Sequence, residues 1–338
     1  MIFKNFYQTI LTTLNKQKKL FPKFLKAFQK KKYLKINLVL LSLFFLTFPN
    51  QNYYQSLELI QAKPLTQKID FEIILPDKLP IKKSDTKAPA MTARSVVVVD
   101  LPTMSVLYAK NPDLSLLPAS TTKIMTALVA IDHYRPDQVL TISQNYRIGQ
   151  TLGLKKGTKF AFKSLLYGTL VGSGNDAAYA LAENYPGGFK AFVEQMNSKG
   201  KSLNLNNTSF SNVSGIEAYN HKTTAHDLAV LSAYALNNKT FVDTVGIKNA
   251  TISTIDGKKD FLLENTNKLI GKILGVKGIK TGWTENAGEC LVTYIERPEG
   301  KVLIVILGSL DRFGETSRLV DWIYRNFSWD SSTDTIPQ

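Results

Sequence analysis

The sequence predicts an α+β domain, an antiparallel sheet flanked by helices with an all-helical subregion inserted in the middle. Three observations predict it. Strand-like runs stand at both ends of the region 91–329, helical apolar spacing fills the stretch between them, and no internal repeat or low-complexity segment interrupts it. A sheet drawing strands from both ends of a chain must close around whatever the middle supplies.

The elements follow in order. SVVVVD (95–100) and SVLYAK (105–110), separated by LPTM, read as two antiparallel strands, because β-branched and aromatic residues cluster between turn formers. Apolar spacing predicts a helix over 121–133. FKSLLYGTLV (162–171) and NDAAYALAENY (175–185) are two more, broken by Gly172-Ser173-Gly174, and FKAFVEQMNSKGKSL is another. Thr224-Ala225-His226-Asp227 predicts a capping-box-like start, with Asp in place of Glu, for the helix AHDLAVLSAYAL. GECLVTYIE and KVLIVILGSL flank a Pro-Glu-Gly turn as a hairpin, and ETSRLVDWIYRNF closes as an amphipathic helix in which Trp322 and Tyr324 are packing residues.

At 338 residues, the chain has room for one large domain or two smaller ones. The net charge of +15 is not spread over it: residues 1–35 hold ten lysines and no acid. A basic nucleic-acid face on the folded part is therefore unsupported, and no nucleic acid is expected as a partner. The lysines lead into thirteen uncharged residues, 36–48. A positive flank and a short apolar run form the pattern of a secretory signal, with the lysines holding the N-terminus in the cytoplasm. Pro49, Asn50, Gln51 and Asn52 follow where small residues would mark cleavage, so an uncleaved signal anchor is favoured over a cleaved signal peptide. A buried core helix behind a basic tail is the third reading, and the run is short against the ~20 residues of a full span. The expected organisation is a basic cytoplasmic segment (1–35), the anchor or signal (36–48), a proline-punctuated linker (49–90) with one short strand in KIDFEIIL, a catalytic domain (91–329) and a tail (330–338). The localisation expected is extracytoplasmic, membrane-anchored or, if the signal is cut, secreted.

Cys290 is the only cysteine. It excludes an internal disulfide, and its place in CLVTYIE favours a small buried side chain over a nucleophile. Three histidines with no HExxH or CxxC offer no metal site, and no cofactor is expected. GVKGIKTG lacks the Gly-Lys step of a phosphate loop, and no G-x-S-x-G elbow is present.

What remains is serine activated by lysine. S-x-x-K occurs at Ser84/Lys87, Ser120/Lys123 and Ser198/Lys201, but only Ser120 opens an apolar helix. Helical i, i+3 spacing puts Ser120 and Lys123 on one face, where the helix N-terminus favours developing negative charge. At a reference pKa of about 10.4, only ~1 lysine in 2,500 is neutral at pH 7, and bringing that pKa near 7 takes ~4–5 kcal/mol. Burial beside Ile124 and Met125 and a second nearby cation are the effects that push that way.

Ser173-Gly174-Asn175, at a break between helices, and Lys280-Thr281-Gly282, ahead of a hairpin, complete the order S-x-x-K, S-x-N, K-T-G. With these motifs in sequence, residues 91–329 resemble the D-alanyl-D-alanine carboxypeptidases, the low-molecular-mass penicillin-binding proteins of serine peptidase family S11. LPASTTKIMTALVA, LLYGTLVGSGNDAAYALAE, FSNVSGIEAYNHKTTAHDLA, the NTN at 265–267 and GIKTGWTENAGECLV carry the resemblance in order and spacing. It implies a β-lactamase/DD-peptidase-like fold and removal of the terminal D-Ala from peptidoglycan stem pentapeptides, with β-lactams as covalent inhibitors.

The resemblance also implies roles. Ser120 attacks the penultimate D-Ala carbonyl, Lys123 is its general base and Ser173 relays a proton toward the leaving amine. Asn175 orients the peptide and helps hold Lys123. Lys280, Thr281 and Arg312 face the substrate carboxylate, with Lys280 as the second cation, and Gly282 lets a substrate strand lie against the edge. The backbone N–H groups of Ser120 and Trp283 form the oxyanion hole, typically worth ~2.7–4 kcal/mol per donor. His221 supports its loop rather than the chemistry. Many family members continue into a second, all-β domain and a C-terminal amphipathic helix; neither is visible here, which makes the N-terminal segment the expected tether. The rival readings are an endopeptidase acting on D-Ala cross-links, a β-lactamase, and a non-catalytic peptidoglycan-binding protein. A β-lactamase needs S-D-N and a later glutamate, but the motif here is S-G-N and residues 200–216 contain no acid.

Overall fold

The computed structural model describes residues 78–331. The segment 1–35, the apolar run 36–48, the linker up to 77 with its expected strand KIDFEIIL, and residues 332–338 lie outside the described residues. No helix among the described residues is long and apolar enough to cross a membrane.

The chain runs β1 (Lys78–Lys82), β2 (Ser95–Asp100), β3 (Val106–Lys110), a 3₁₀ turn (Ala119–Thr122) and α1 (Lys123–His133). A small hairpin of β4 (Val139–Thr141) and β5 (Lys159–Ala161) leads to α2 (Phe162–Leu170), α3 (Asn175–Glu183), α4 (Gly188–Ser202), α5 (Ala225–Ala235) and α6 (Lys239–Val245). Then come β6 (Asn249–Ser253), β7 (Asp260–Glu264), β8 (Val276–Thr284), β9 (Gly288–Glu296), β10 (Lys301–Ser309), α7 (Arg312–Asn326) and β11 (Phe327–Ser331).

The main sheet has the order β3-β2-β10-β9-β8 and is antiparallel throughout. The sheet is thus assembled from both ends of the chain, as the sequence predicts. Its alternating side chains split two ways. Val97, Val99, Leu303 and Val305 join the core with α1 and α2, while Val96, Val98, Val302 and Ile304 pack on Leu319, Val320 and Ile323 of α7. With both faces covered, all six residues of β2 are buried, which explains a continuous valine run where a half-exposed strand would alternate. The last strand, β8, is an edge, and its free side faces the cleft described below.

Three details depart from the sequence reading. Residues 78–82, expected in the linker, form β1 and pair with β11, which itself runs past the expected boundary at 329 to Ser331. Pro80 masks this strand in the sequence, but proline is tolerated on a strand paired along one side only. The helix expected from 121 starts at Lys123, preceded by the 3₁₀ turn. Thr224 caps α5 as predicted, its hydroxyl accepting from Asp227 N–H at 3.0 Å, but Asp227 does not close the box. Its carboxylate is one methylene shorter than glutamate and turns instead to Asn207 N–H and the Thr208 hydroxyl, at 2.9 and 2.7 Å. The K-T-G triplet lies ahead of the β9–β10 hairpin as expected, in β8, which pairs with β9.

Candidate active site

Ser120 lies in the 3₁₀ turn and Lys123 is the first residue of α1. Residues three apart eclipse in a 3₁₀ turn. This brings the two side chains into line, with Lys123 Nζ donating to Ser120 Oγ at 2.9 Å. Nζ also donates to Asn175 Oδ1 at 2.6 Å and to the Ser214 carbonyl at 2.8 Å. An ammonium satisfies all three acceptors; a neutral amine keeps the last two and offers its lone pair to the Ser120 hydroxyl. Lys123 is fully buried, and burial pushes its pKa well below the usual lysine range. The cation of Lys280 pushes the same way, and Asp176 opposes them.

The second lysine is also enclosed. Lys280 Nζ donates to Ser173 Oγ at 2.9 Å and to the Thr281 carbonyl at 3.1 Å, and burial followed by the nearby Arg312 pulls its pKa down to about 7. Thr281 Oγ1 donates to Thr266 Oγ1 at 2.7 Å. Arg312, at the start of α7, donates from Nη1 to the Gly282 carbonyl at 2.7 Å, which holds its guanidinium against β8.

Two glycines let the 3₁₀ turn approach this closely. A Cβ on Gly282 would sit 2.9 Å from both Ala119 Cβ and Ser120 N, and one on Gly215 (φ +88°) would sit 1.8 Å from the Ala119 carbonyl oxygen. Gly282 was expected to admit a substrate strand; in the fold its missing side chain admits the 3₁₀ turn that carries Ser120. Ala119 (φ +46°) and Ser173 (φ +57°) are both in the left-handed region, so two non-glycine residues of the site are held in sparsely populated backbone conformations.

A cleft of about 630 Å³ opens over these groups, lined by Ser120, Ser173, Thr281, Gly282, Trp283 and Arg312 on the chemical side. Ile148, Gly149, Gln150, Ile216 and Glu217 line the rest. Lys123, Asn175 and Lys280 lie beneath this surface, each at most 3% exposed. The structure thus brings all nine sequence-predicted site residues together. Lys280, expected at the substrate carboxylate, sits under the wall that Thr281 and Arg312 present. The sequence reading missed the Ser214 carbonyl, Gly215 and Thr266. FSNVSG and NTN stood among the resembling stretches, but a backbone acceptor such as the Ser214 carbonyl has no side-chain signature, and the Thr266 hydroxyl joins the site only through its pairing with Thr281.

His221 takes the supporting place expected of it. Its Nδ1 accepts from Ser211 N–H at 2.9 Å, leaving Nε2–H to donate to Thr122 Oγ1 at 2.9 Å, and burial lowers its pKa to about 4. Cys290 is buried, and burial raises its thiol to about 11, which keeps it unreactive. Among the described residues, no group of three His, Cys, Asp or Glu side chains converges as a metal site would need.

Residues 82–310 match the peptidase S11 family, described as D-alanyl-D-alanine carboxypeptidase. The chain belongs to this D-alanyl-D-alanine carboxypeptidase family. Among its relatives, the D-alanyl-D-alanine carboxypeptidase DacF of Bacillus subtilis is 33% identical over 252 residues, covering 72% of this chain and 64% of that protein. The D-alanyl-D-alanine endopeptidase of Escherichia coli is 35% identical over 244 residues, covering 70% and 78%. This chain therefore spans just under two thirds of the first relative and more of the second. The crystal structure of the Streptomyces K15 DD-transpeptidase superposes with a TM-score of 0.66 at 31% identity, covering 71% of this chain and 99% of that one. The α+β architecture of this carboxypeptidase-family domain is thus the DD-peptidase fold.

Proposed function

We propose that this chain is a serine-type D-Ala-D-Ala carboxypeptidase that removes the terminal D-Ala from peptidoglycan stem pentapeptides through an acyl-enzyme on Ser120. The observation that carries the reading is the buried Lys123 amine, in contact with Ser120 Oγ and held by two further acceptors. In the neutral state the amine takes the Ser120 proton as Oγ attacks the penultimate D-Ala carbonyl carbon. The oxyanion is stabilised by the N–H groups of Ser120 and Trp283, a reading supported by the close approach of Ser120 N to Gly282, the residue before Trp283. The C–N bond then breaks, and Ser173 passes its hydroxyl proton to the leaving amine while Lys280, which donates to Ser173 Oγ, replaces it. In deacylation, water adds its hydroxyl to the acyl carbon and its proton restores Ser120. A proton passing from Lys123 to Lys280 resets the pair. Thr281 and Arg312 bind the terminal carboxylate, with the charge of Lys280 acting from beneath. Residues 36–48 act as the membrane tether that keeps the domain outside the cytoplasm, a reading supported by the lysine-flanked apolar run.

Covalent labelling by fluorescent penicillin tests the chemistry. Wild type takes the label and Ser120→Ala does not; label retained by Ser120→Ala overturns the mechanism. A second reading, endopeptidase action on D-Ala cross-links, is favoured by the name of the Escherichia coli relative. Mass spectrometry of digested muropeptides separates the two, since loss of one alanine from pentapeptides differs from cleavage of dimers.

A further inference from the structure

Asp176, the second residue of α3, has no exposed surface, and the steps above make no use of it. Its carboxylate accepts hydrogen bonds from three backbone N–H groups. Leu152 N–H reaches both oxygens, at 3.1 and 2.9 Å; Leu154 N–H reaches Oδ2 at 3.0 Å; Ala177 N–H reaches Oδ1 at 3.0 Å. Leu152 and Leu154 continue the wall of the cleft that Ile148, Gly149 and Gln150 line. Asn175 is stitched to the same wall, its N–H donating to the Gln150 carbonyl at 2.7 Å and its Nδ2 to the Ile148 carbonyl at 2.9 Å. With Nδ2 committed there, the amide must face Lys123 with Oδ1, which accepts from Nζ at 2.6 Å.

We propose that Asp176 is a positioning residue: its carboxylate clamps the 148–154 wall onto α3, which holds Asn175 on the Lys123 amine, and it is the counter-anion to the Lys123 cation. This rests on the reading of Lys123 as the general base. The charged groups acting on that amine are Lys280 from β8 and Asp176 from α3. Arg312, from α7, acts on Lys280, and His221, joined to Thr122 beside α1, is neutral above about pH 4. Glu217 stands further out, at the cleft mouth. Asp176 is therefore the one anion among them that favours the charged form of Lys123. Removing its charge leaves the amine neutral down to lower pH, while removing its geometry loosens Asn175.

The test is the rate of acylation by fluorescent penicillin as a function of pH, in the full chain and in Asp176→Asn and Asp176→Glu. Asp176→Asn is expected to move the acid limb to lower pH, by roughly one unit, and to lower the plateau at least tenfold. Asp176→Glu keeps the charge at a longer reach, so its limb stays at the wild-type position while its plateau falls. An Asp176→Asn protein with an unmoved limb overturns the counter-anion role, and a plateau within about twofold of wild type overturns the positioning role. If Asp176→Asn does not fold, Asp176→Glu decides alone: a wild-type plateau overturns the proposal, and a reduced plateau with an unmoved limb upholds it. The Ser120→Ala control keeps the two readings apart. If wild type labels and Ser120→Ala does not, the serine mechanism stands whatever Asp176 does.

Discussion

Lys123 and Lys280 are buried cations in one site, and each is costly as structure because each must be discharged or paired to remain there. The proposed acyl transfer needs them in opposite states, Lys123 neutral to accept the serine proton and Lys280 charged to attract a carboxylate. The expected kcat/KM on a D-Ala-D-Ala peptide is therefore bell-shaped, with an acid limb from Lys123 and a basic limb near pH 7 from Lys280 in the free enzyme. Lys280→Arg should carry the basic limb upward, because guanidinium stays charged; a limb that does not move assigns it elsewhere. Stability follows the same pair. The folded pKa of Lys280 lies below its unfolded value, so the unfolded chain binds more protons between about pH 7 and 10.5, and stability rises with pH across that window. At pH 7 nearly the whole penalty is present. Lys280→Met should then raise Tm by a few degrees at pH 7, less at pH 10, while acylation collapses; thermal melts at the two pH values check this.

The 3₁₀ turn, β8 and the loop around Gly215 approach closely enough that a Cβ on Gly215 or Gly282 would clash with the turn, so in the proposed mechanism their backbones rather than their side chains set the oxyanion geometry. Gly215→Ala would push a methyl into the Ala119 carbonyl, and Gly282→Ala would push one against Ser120 N. Both substitutions should lower penicillin acylation by at least about a hundredfold, since a displacement near 1 Å suffices for that. Circular dichroism should remain native, because the contact lies at the cleft rather than in the sheet core. Acylation near the wild-type rate in either variant would show that the turn has room to shift. Neither glycine's role was legible in the sequence. K-T-G marks position 282 by motif, but the sequence does not say that the residue pressing on it comes from the 3₁₀ turn, more than a hundred and fifty positions earlier. The S-x-x-K helix start, by contrast, was readable locally, because an apolar run opened by Ser120 and Lys123 is an i, i+3 pattern that needs no tertiary partner.

Across the whole molecule, the first and last described strands strap the domain together. β1 pairs with β11, and Trp329 of β11 donates from Nε1 to buried Asp100 at 2.7 Å while its ring covers Gly300. Glu315 makes a second tie, accepting from Thr92 N–H, Ala93 N–H and the Ser309 hydroxyl. Trp329→Ala should cost about 3–5 kcal/mol, the usual loss for a buried tryptophan, and leave Asp100 short of a donor. Penicillin labelling of the protein that remains folded at low temperature should match wild type, since the strap packs with α7 and not with the cleft. A parallel loss of labelling would tie the strap to the site.

The sequence by itself determined the fold class, six of the seven helices and the four strands β2, β3, β9 and β10 among the described residues, and it pointed to the nine residues that the fold gathers at the cleft. These rest on local periodicity and on three motifs whose spacing survives without coordinates. Only the tertiary structure decided that 78–82 is a strand, that Lys280 lies beneath the cleft wall, and that Ser214, Thr266 and Asp176 belong to the same assembly. The physical reason is common to all three: an edge pairing, a depth below a surface and a hydrogen bond across the fold are properties of neighbours distant in the chain. Local pattern carries no trace of them.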